Sequence, residues 1–342
     1  QGLFVAPAVV KVAGIEDMTA EIFGPLLHVA TFRAADLDRV VNAINRQGYG
    51  LTFGLQTRME SRIDRVCRRI RAGNIYVNRN QIGAVVGSQP FGGEGLSGTG
   101  PKAGGPLYLY RFLRREPEPT AAAFTVVPAG SDFVSRSDLD DAIQAAQAVQ
   151  PIPALALALD PAIPTVDIDA AQTLLRRVND SFAALDIQVR LDHQSTQLLP
   201  GPTGELNRWS LYPRGVLLCC GPGLQRAMTQ AAMALACGNR VVVVAPGAVA
   251  AVGQLQGNHW PIQALDGVIP AALLSSLNGF DAVVCGKAEW LRDYRKALAA
   301  REGALLALIS DDSNSHRYLL ERHVCIDTAA AGGNASLLAR SG

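Results

Sequence analysis

Asn74-Ile-Tyr-Val-Asn78 runs directly into Arg79-Asn-Gln-Ile-Gly-Ala-Val-Val-Gly-Ser-Gln-Pro-Phe-Gly-Gly-Glu-Gly-Leu-Ser-Gly98, a short apolar strand followed by a loop dense in glycine. Ordering such a loop is costly in conformational entropy, and long ordered loops are usually functional. The stretch lacks the Gly-Lys-Ser/Thr ending of a phosphate-binding P-loop, and no helix start follows it. It reads as a place where backbone amides face a ligand group, with Phe91 as an apolar wall.

Upstream, Gly2-Leu-Phe-Val-Ala-Pro7 has strand character but no initiating feature before it, so the chain is expected to open inside a domain. Glu21-Ile-Phe-Gly-Pro25 precedes a strand-like stretch at 26–32. A helix is expected over about 35–45, with Leu37, Val40, Val41 and Ile44 on one face. Tyr49-Gly-Leu-Thr-Phe-Gly-Leu55 reads as turn and strand. From Glu60 to Arg71, Ile63, Val66, Cys67 and Ile70 recur at helical spacing among five arginines, with Gly73 as the expected terminator. A solvated basic face explains this helix better than a nucleic-acid site does. Residues 1–116 carry 15 Lys/Arg against 9 Asp/Glu, the remainder 16 against 21, and the net charge is +1. That balance suggests neither nucleic acid nor an anionic membrane as partner of this region.

Downstream, Glu116-Pro-Glu-Pro-Thr-Ala-Ala-Ala begins a linker over 116–136, with a short strand expected at 124–127. Helices are expected over 138–149 and 170–185. Trp209-Ser-Leu-Tyr-Pro-Arg-Gly215 precedes an apolar strand at 216–220, then a Gly-Pro-Gly turn, a helix over 224–237 and a strand over 240–245. Further strands are expected at 281–285 and 304–309, and a last one at 324–327. Strands alternating with helices predict an α/β fold with a doubly wound parallel sheet. Gly221-Pro-Gly-Leu-Gln-Arg226 is a broken dinucleotide fingerprint, with Arg226 in place of the third glycine. The six cysteines show no zinc-ligand spacing, so no metal is expected, and buried thiols fit a reducing cytoplasm. No signal peptide or membrane span is read in the chain.

The stretches 2–7, 21–25, 49–55, 73–78 and 90–98 stand in the order and spacing of the C-terminal part of the aldehyde dehydrogenase superfamily, which this region resembles. The wording of 78–93 is similar to the glutamate-semialdehyde (pyrroline-5-carboxylate) dehydrogenase branch. Its continuation over 94–105 resembles the bifunctional bacterial flavoenzymes of the proline utilization A family. The resemblance implies NAD as cofactor, with Glu21 on the nicotinamide-side ribose hydroxyls and Phe23 near the nicotinamide. It implies that Gly83 and Ala84 donate backbone N–H groups to the substrate's α-carboxylate, and that Phe91 lines its aliphatic stem. For Phe23 and Phe91, plain core packing is the alternative. The family's cysteine nucleophile and glutamate base belong upstream of these motifs. No catalytic residue is therefore assigned, and the isolated chain is expected to be inactive. FAD is expected only in an upstream proline dehydrogenase domain.

The second part resembles the same superfamily again. Gly215-Val-Leu-Leu-Cys-Cys-Gly-Pro222 and Ala234-Leu-Ala-Cys-Gly-Asn239 look like the start of its cofactor domain, without the oxyanion-hole asparagine and ribose lysine. The end of one dehydrogenase thus precedes the beginning of a degenerate one, as in long members of the proline utilization A family. The implied division is a dehydrogenase part over 1–115, a linker over 116–136, a non-catalytic Rossmann-like domain over 137–322 and a docking tail over 323–342. The second part would be a structural lid or association module, with upstream domains of the same polypeptide and a second copy of the chain as its expected partners. The alternative is a non-enzymatic nucleotide-binding or interaction module.

Overall fold

The computed structural model describes residues 2–112, 132–150, 168–191, 196–255, 260–286, 290–310 and 312–329. Near the start, β1 (Ala8–Lys11) and β2 (Leu26–Val29) form a parallel pair with Ala8 opposite Leu26. The stretch 2–7, expected to be extended, lies before the first strand. Then come α1 (Leu37–Arg46), β3 (Tyr49–Gly50), β4 (Thr52–Leu55), α2 (Glu60–Arg69), β5 (Asn74–Val77) and β6 (Glu94–Gly95). Helix α2 buries Ile63, Val66 and Cys67 against Val41 of α1 and Ile75 and Val77 of β5. Its basic face is solvated, and Arg65 and Arg69 both pair with Asp38 of α1.

Helix α2 stops at Arg69, before the expected Gly73. Asn45 caps the end: its Nδ2 donates to the Arg69 carbonyl at 2.8 Å and its Oδ1 accepts from Arg71 N at 2.8 Å. Gly73 has a different task. A Cβ there would lie 2.0 Å from the Gly92 carbonyl oxygen, so its lack of a side chain admits the glycine-rich loop against the sheet.

The second part contains α3 (Arg136–Ala148), α4 (Ile168–Phe182), β7 (Thr196–Leu199), β8 (Glu205–Pro213), β9 (Val216–Cys219), α5 (Gly223–Ala236) and β10 (Arg240–Val244). It continues with α6 (Ala248–Gly253), β11 (Ile262–Leu265), α7 (Ala271–Leu274), β12 (Ala282–Val284), α8 (Leu291–Ala299), β13 (Ala307–Ile309) and β14 (Leu319–Asp327). Five of these strands form a parallel sheet in the order β11-β10-β9-β12-β13. That is the arrangement of dinucleotide-binding sheets, with a switch point between β9 and β12. Leu217, Cys219, Val241 and Val243 face α4 and α5, while Val216, Leu218, Val242 and Val244 face α3 and α8. Both faces are covered, which is why these strands read as unbroken apolar runs.

The third sheet joins the two parts in the order β4-β5-β14-β8-β7. Strand β14 pairs in parallel with β5, Cys325 opposite Tyr76, and antiparallel with β8 along all nine of its residues. It crosses the division expected at 322/323, so residues 323–327 lie inside a sheet. The strand expected at 124–127 and the tail from 330 onward lie outside the described residues, as does most of the linker. Among the described residues no helix is long and apolar enough to cross a membrane, and no group of three His, Cys, Asp or Glu could hold a metal ion.

Candidate ligand-binding site

Strand β5 is buried along its length, and its first residue, Asn74, anchors the glycine-rich loop. Asn74 Nδ2 donates to the Pro90 carbonyl at 2.8 Å. Its Oδ1 accepts from Gly92 N at 3.1 Å and from Lys102 Nζ at 3.0 Å. Lys102 also donates to the Gly92 carbonyl. Phe91 and Ala103 exchange two backbone hydrogen bonds, of 3.0 and 2.9 Å, which fold the loop back on itself. Burial of the Lys102 ammonium pushes its pKa down to about 8.

The expected ligand residues sit on exposed surface above this base. Gly83 and Ala84 lie on a protruding stretch between the exposed side chains of Ile82 and Val85. Gly83 has φ +75°, and a Cβ there would meet nothing within 4 Å. Asn78 enters the stretch at φ 59°, with its Oδ1 accepting from Thr57 N at 2.9 Å. Phe91 is half-buried in the folded-back part of the loop.

Glu21 and Phe23 lie on a separate exposed segment, with Phe23 89% exposed. Tyr49 links that segment to the loop: its Oη accepts from Glu21 N at 3.3 Å, while β3 pairs with β6, Tyr49 opposite Gly95. Among the described residues, no side-chain hydrogen bond or ion pair joins Phe23, Gly83 or Ala84 to another of the five expected residues.

The second part supplies a set of polar residues that sequence reasoning did not single out. Glu205 of β8 grips both ends of the protruding stretch: Oε1 accepts from Gln89 Nε2 at 2.8 Å, and Oε2 pairs with Arg79. Glu321 of β14 accepts from Lys102 N at 2.7 Å and from Trp209 Nε1 at 3.0 Å. Burial raises its pKa, while the Lys102 amide opposes the shift. Arg322 pairs with Glu94 at 2.9 Å with both side chains buried, and its guanidinium lies 4.5 Å over the Tyr212 ring. His323 is fully buried with Nε2 3.2 Å from Asn207 Oδ1, and burial pushes its pKa down to about 3, aided by Lys102 and Arg79. The signal for these residues was charge inside an apolar strand, as in Leu319-Leu-Glu-Arg-His-Val-Cys-Ile-Asp327, because a buried charge needs a partner.

At the switch point of the parallel sheet, side chains of the domain itself bond to one another. Arg226 donates through Nε to Asp312 Oδ2 at 2.7 Å and through a second nitrogen to Oδ1. Gln230 Nε2 donates to the Gly221 carbonyl at 2.7 Å and to Asp312 Oδ2 at 2.6 Å. The residue that breaks the fingerprint is thus part of a polar cluster with Asp312 and Gln230.

Residues 1–116 match the model of the aldehyde dehydrogenase family. Over 98% of its length the chain is similar to the bifunctional protein PutA of Escherichia coli (strain K12), at 38% identity over 357 residues and 24% of that protein. The 1-pyrroline-5-carboxylate dehydrogenase of Bacillus subtilis (strain 168) is 41% identical over 128 residues, covering 36% of this chain and 24% of that protein. A crystal structure of a mutant Bradyrhizobium japonicum proline utilization A matches 33% of this chain and 12% of its own at 57% identity, with a TM-score of 0.32. The chain spans about a quarter of the length of the curated relatives it matches.

Proposed function

We propose that this chain completes a dehydrogenase that oxidises L-glutamate γ-semialdehyde to glutamate with NAD. In the whole polypeptide an upstream FAD-dependent proline dehydrogenase domain would supply the semialdehyde. The names of the relatives support the substrate class. The observation that carries the reading is the stretch 79–89, held at both ends by Glu205 and exposed around Gly83 and Ala84, where a Cβ on Gly83 would meet nothing within 4 Å. Amides on a fixed backbone suit an α-carboxylate, and small residues allow close approach. Phe91 would wall the aliphatic stem.

On the cofactor side, the Glu21 carboxylate has no hydrogen-bond partner among the described residues and Phe23 is exposed, so both are available to a ribose and a planar ring. Bound NAD would accept the hydride. Glu21 would orient the ribose through acceptor oxygens, and Phe23 would shield one ring face from water. The attacking thiolate is assigned to the upstream part of the polypeptide. The cysteines of this chain are all buried, and burial pushes the thiols of Cys67 and Cys325 up to about 12, which disfavours the nucleophilic form.

We assign the second part a structural role, as support for the loop and as a lid whose residues beyond 329 dock on the dehydrogenase domain or a second copy. The Arg226–Asp312–Gln230 cluster at the switch point disfavours the rival nucleotide-binding reading. Buried free thiols favour a cytoplasmic location. The test is NADH formation by the full-length protein supplied with glutamate semialdehyde and NAD. Turnover is expected, and Ala84→Pro, which removes an amide donor, should raise the semialdehyde KM. A full-length protein that forms no NADH would sink the reading.

A further inference from the structure

A cavity of about 350 Å³ lies where the two parts meet, between residues 99–101, the short 3-10 turn Tyr108–Arg111, β13 and the start of β14. Arg111, Arg214 and Arg317 line it together with His316, and the one carboxylate among the described lining residues is Glu321. Both Glu321 oxygens are already committed, to Lys102 N and to the Trp209 indole. Arg214 donates through Nε to the Arg317 carbonyl at 2.7 Å. Among the described residues, no carboxylate lies within salt-bridge distance of Arg214, and its two terminal nitrogens make no hydrogen bond. Burial, and then the Arg317 charge beside it, push the Arg214 pKa down to about 10. The remaining lining includes the apolar side chains of Leu107, Leu308 and Leu320.

Arg214 is half-buried, and partly withdrawing a guanidinium from water without a counter-charge has a cost, to which the neighbouring guanidinium adds repulsion. An anion accepting from the terminal nitrogens would relieve both, and the planar fork of arginine matches carboxylate and phosphate oxygens. The volume is at the lower end of small-molecule sites, roughly 300–1,000 Å³. We infer that this cavity binds a small organic anion, with its carboxylate or phosphate group on Arg214 and Arg111 and its apolar body against Leu107, Leu308 and Leu320. The site lies apart from Gly83 and Ala84 and does not rest on the dehydrogenase reading. Residues 99–101, which close the glycine-rich loop, form one of its walls, so an occupant would touch that loop and β14 together.

Titration calorimetry on the full-length protein at constant ionic strength tests this, with succinate as the carboxylate probe and inorganic phosphate as the phosphate probe. The variants are Arg214→Gln and Arg111→Glu. Because succinate can also enter a substrate carboxylate site, the readout is the binding component that the variants weaken. At least one probe should show a component weakened about tenfold or more in each variant, roughly 1.4 kcal/mol. Semialdehyde oxidation should be retained in Arg214→Gln. Loss of the succinate component identifies a carboxylate ligand, and loss of the phosphate component a phosphate-bearing one. Arg111 is exposed at the cavity mouth, so its variant carries the test if Arg214→Gln fails to fold. Binding of both probes unchanged in a folded Arg111→Glu variant, or no binding of either probe to the wild type, overturns the inference.

Discussion

The junction between the two parts rests on charged side chains inside strands. Arg322 and Glu94 are each under 10% exposed, so removing one partner leaves the other charge buried and uncompensated. Arg322→Met should cost about 3–5 kcal/mol, read as a lowered midpoint in denaturant, and Glu94→Gln added to it should restore part of the loss. A midpoint within error of the wild type would mean the pair is not buried as described. His323 gives a pH signature. Its folded-state pKa of about 3 lies below the ordinary value of 6.5, so the neutral ring is the form the fold accepts. Its contribution is fully present above 6.5 and is lost as pH falls from there toward 3, at up to about 1.4 kcal/mol per pH unit. His323→Asn should flatten the pH dependence of stability between 6.5 and 5, and an equally steep profile in the variant would refute the assignment. Glu21→Ala in the full-length protein should weaken NAD use by about 1–3 kcal/mol while leaving proline oxidation unchanged. Unaltered NAD kinetics would remove Glu21 from the cofactor side.

At the scale of elements, the parallel sheet was legible because β9, β10 and β12 are continuous apolar runs punctuated by Gly-Pro-Gly and by helical periodicity. Strand β11, Ile262-Gln-Ala-Leu265, escaped notice: it is short, only half-buried and at the sheet edge, where the apolar signal is weak. Strand β8 was hidden by Asn207, Arg208 and Pro213, which argue against a buried strand until their partners are known. The end of α2 differs from the one Gly73 suggests because its cap is a side chain from another helix, Asn45. The glycine-rich loop is legible from composition, and the resemblance supplies the ligand residues proposed for it. Its supports on β8 and β14 did not appear, since Glu205 and Glu321 stand more than 100 residues away and no local pattern links them to the loop.

Across the whole molecule, the position of β14 changes how the tail must be tested. Deleting 323–342 would remove part of a strand that pairs with both β5 and β8, and loss of activity would then report unfolding. Deleting 330–342 spares that sheet. If the tail seals a passage between two active sites, this shorter deletion in the full-length protein should leave proline oxidation intact and introduce a lag in NADH formation from proline. Coupling without a lag, together with unchanged subunit association, would end the lid reading.

The dependence of the dehydrogenase loop on the second part comes down to Glu205, which holds Arg79 and Gln89 at the two ends of the stretch carrying Gly83 and Ala84. Steady-state oxidation of glutamate semialdehyde by full-length Glu205→Ala, followed by NADH absorbance, separates a second part that positions this loop from one that only accompanies it. The semialdehyde KM should rise about tenfold, with the KM for NAD and the rate of proline oxidation unchanged. A variant that folds like the wild type and keeps the wild-type semialdehyde KM would contradict the positioning role.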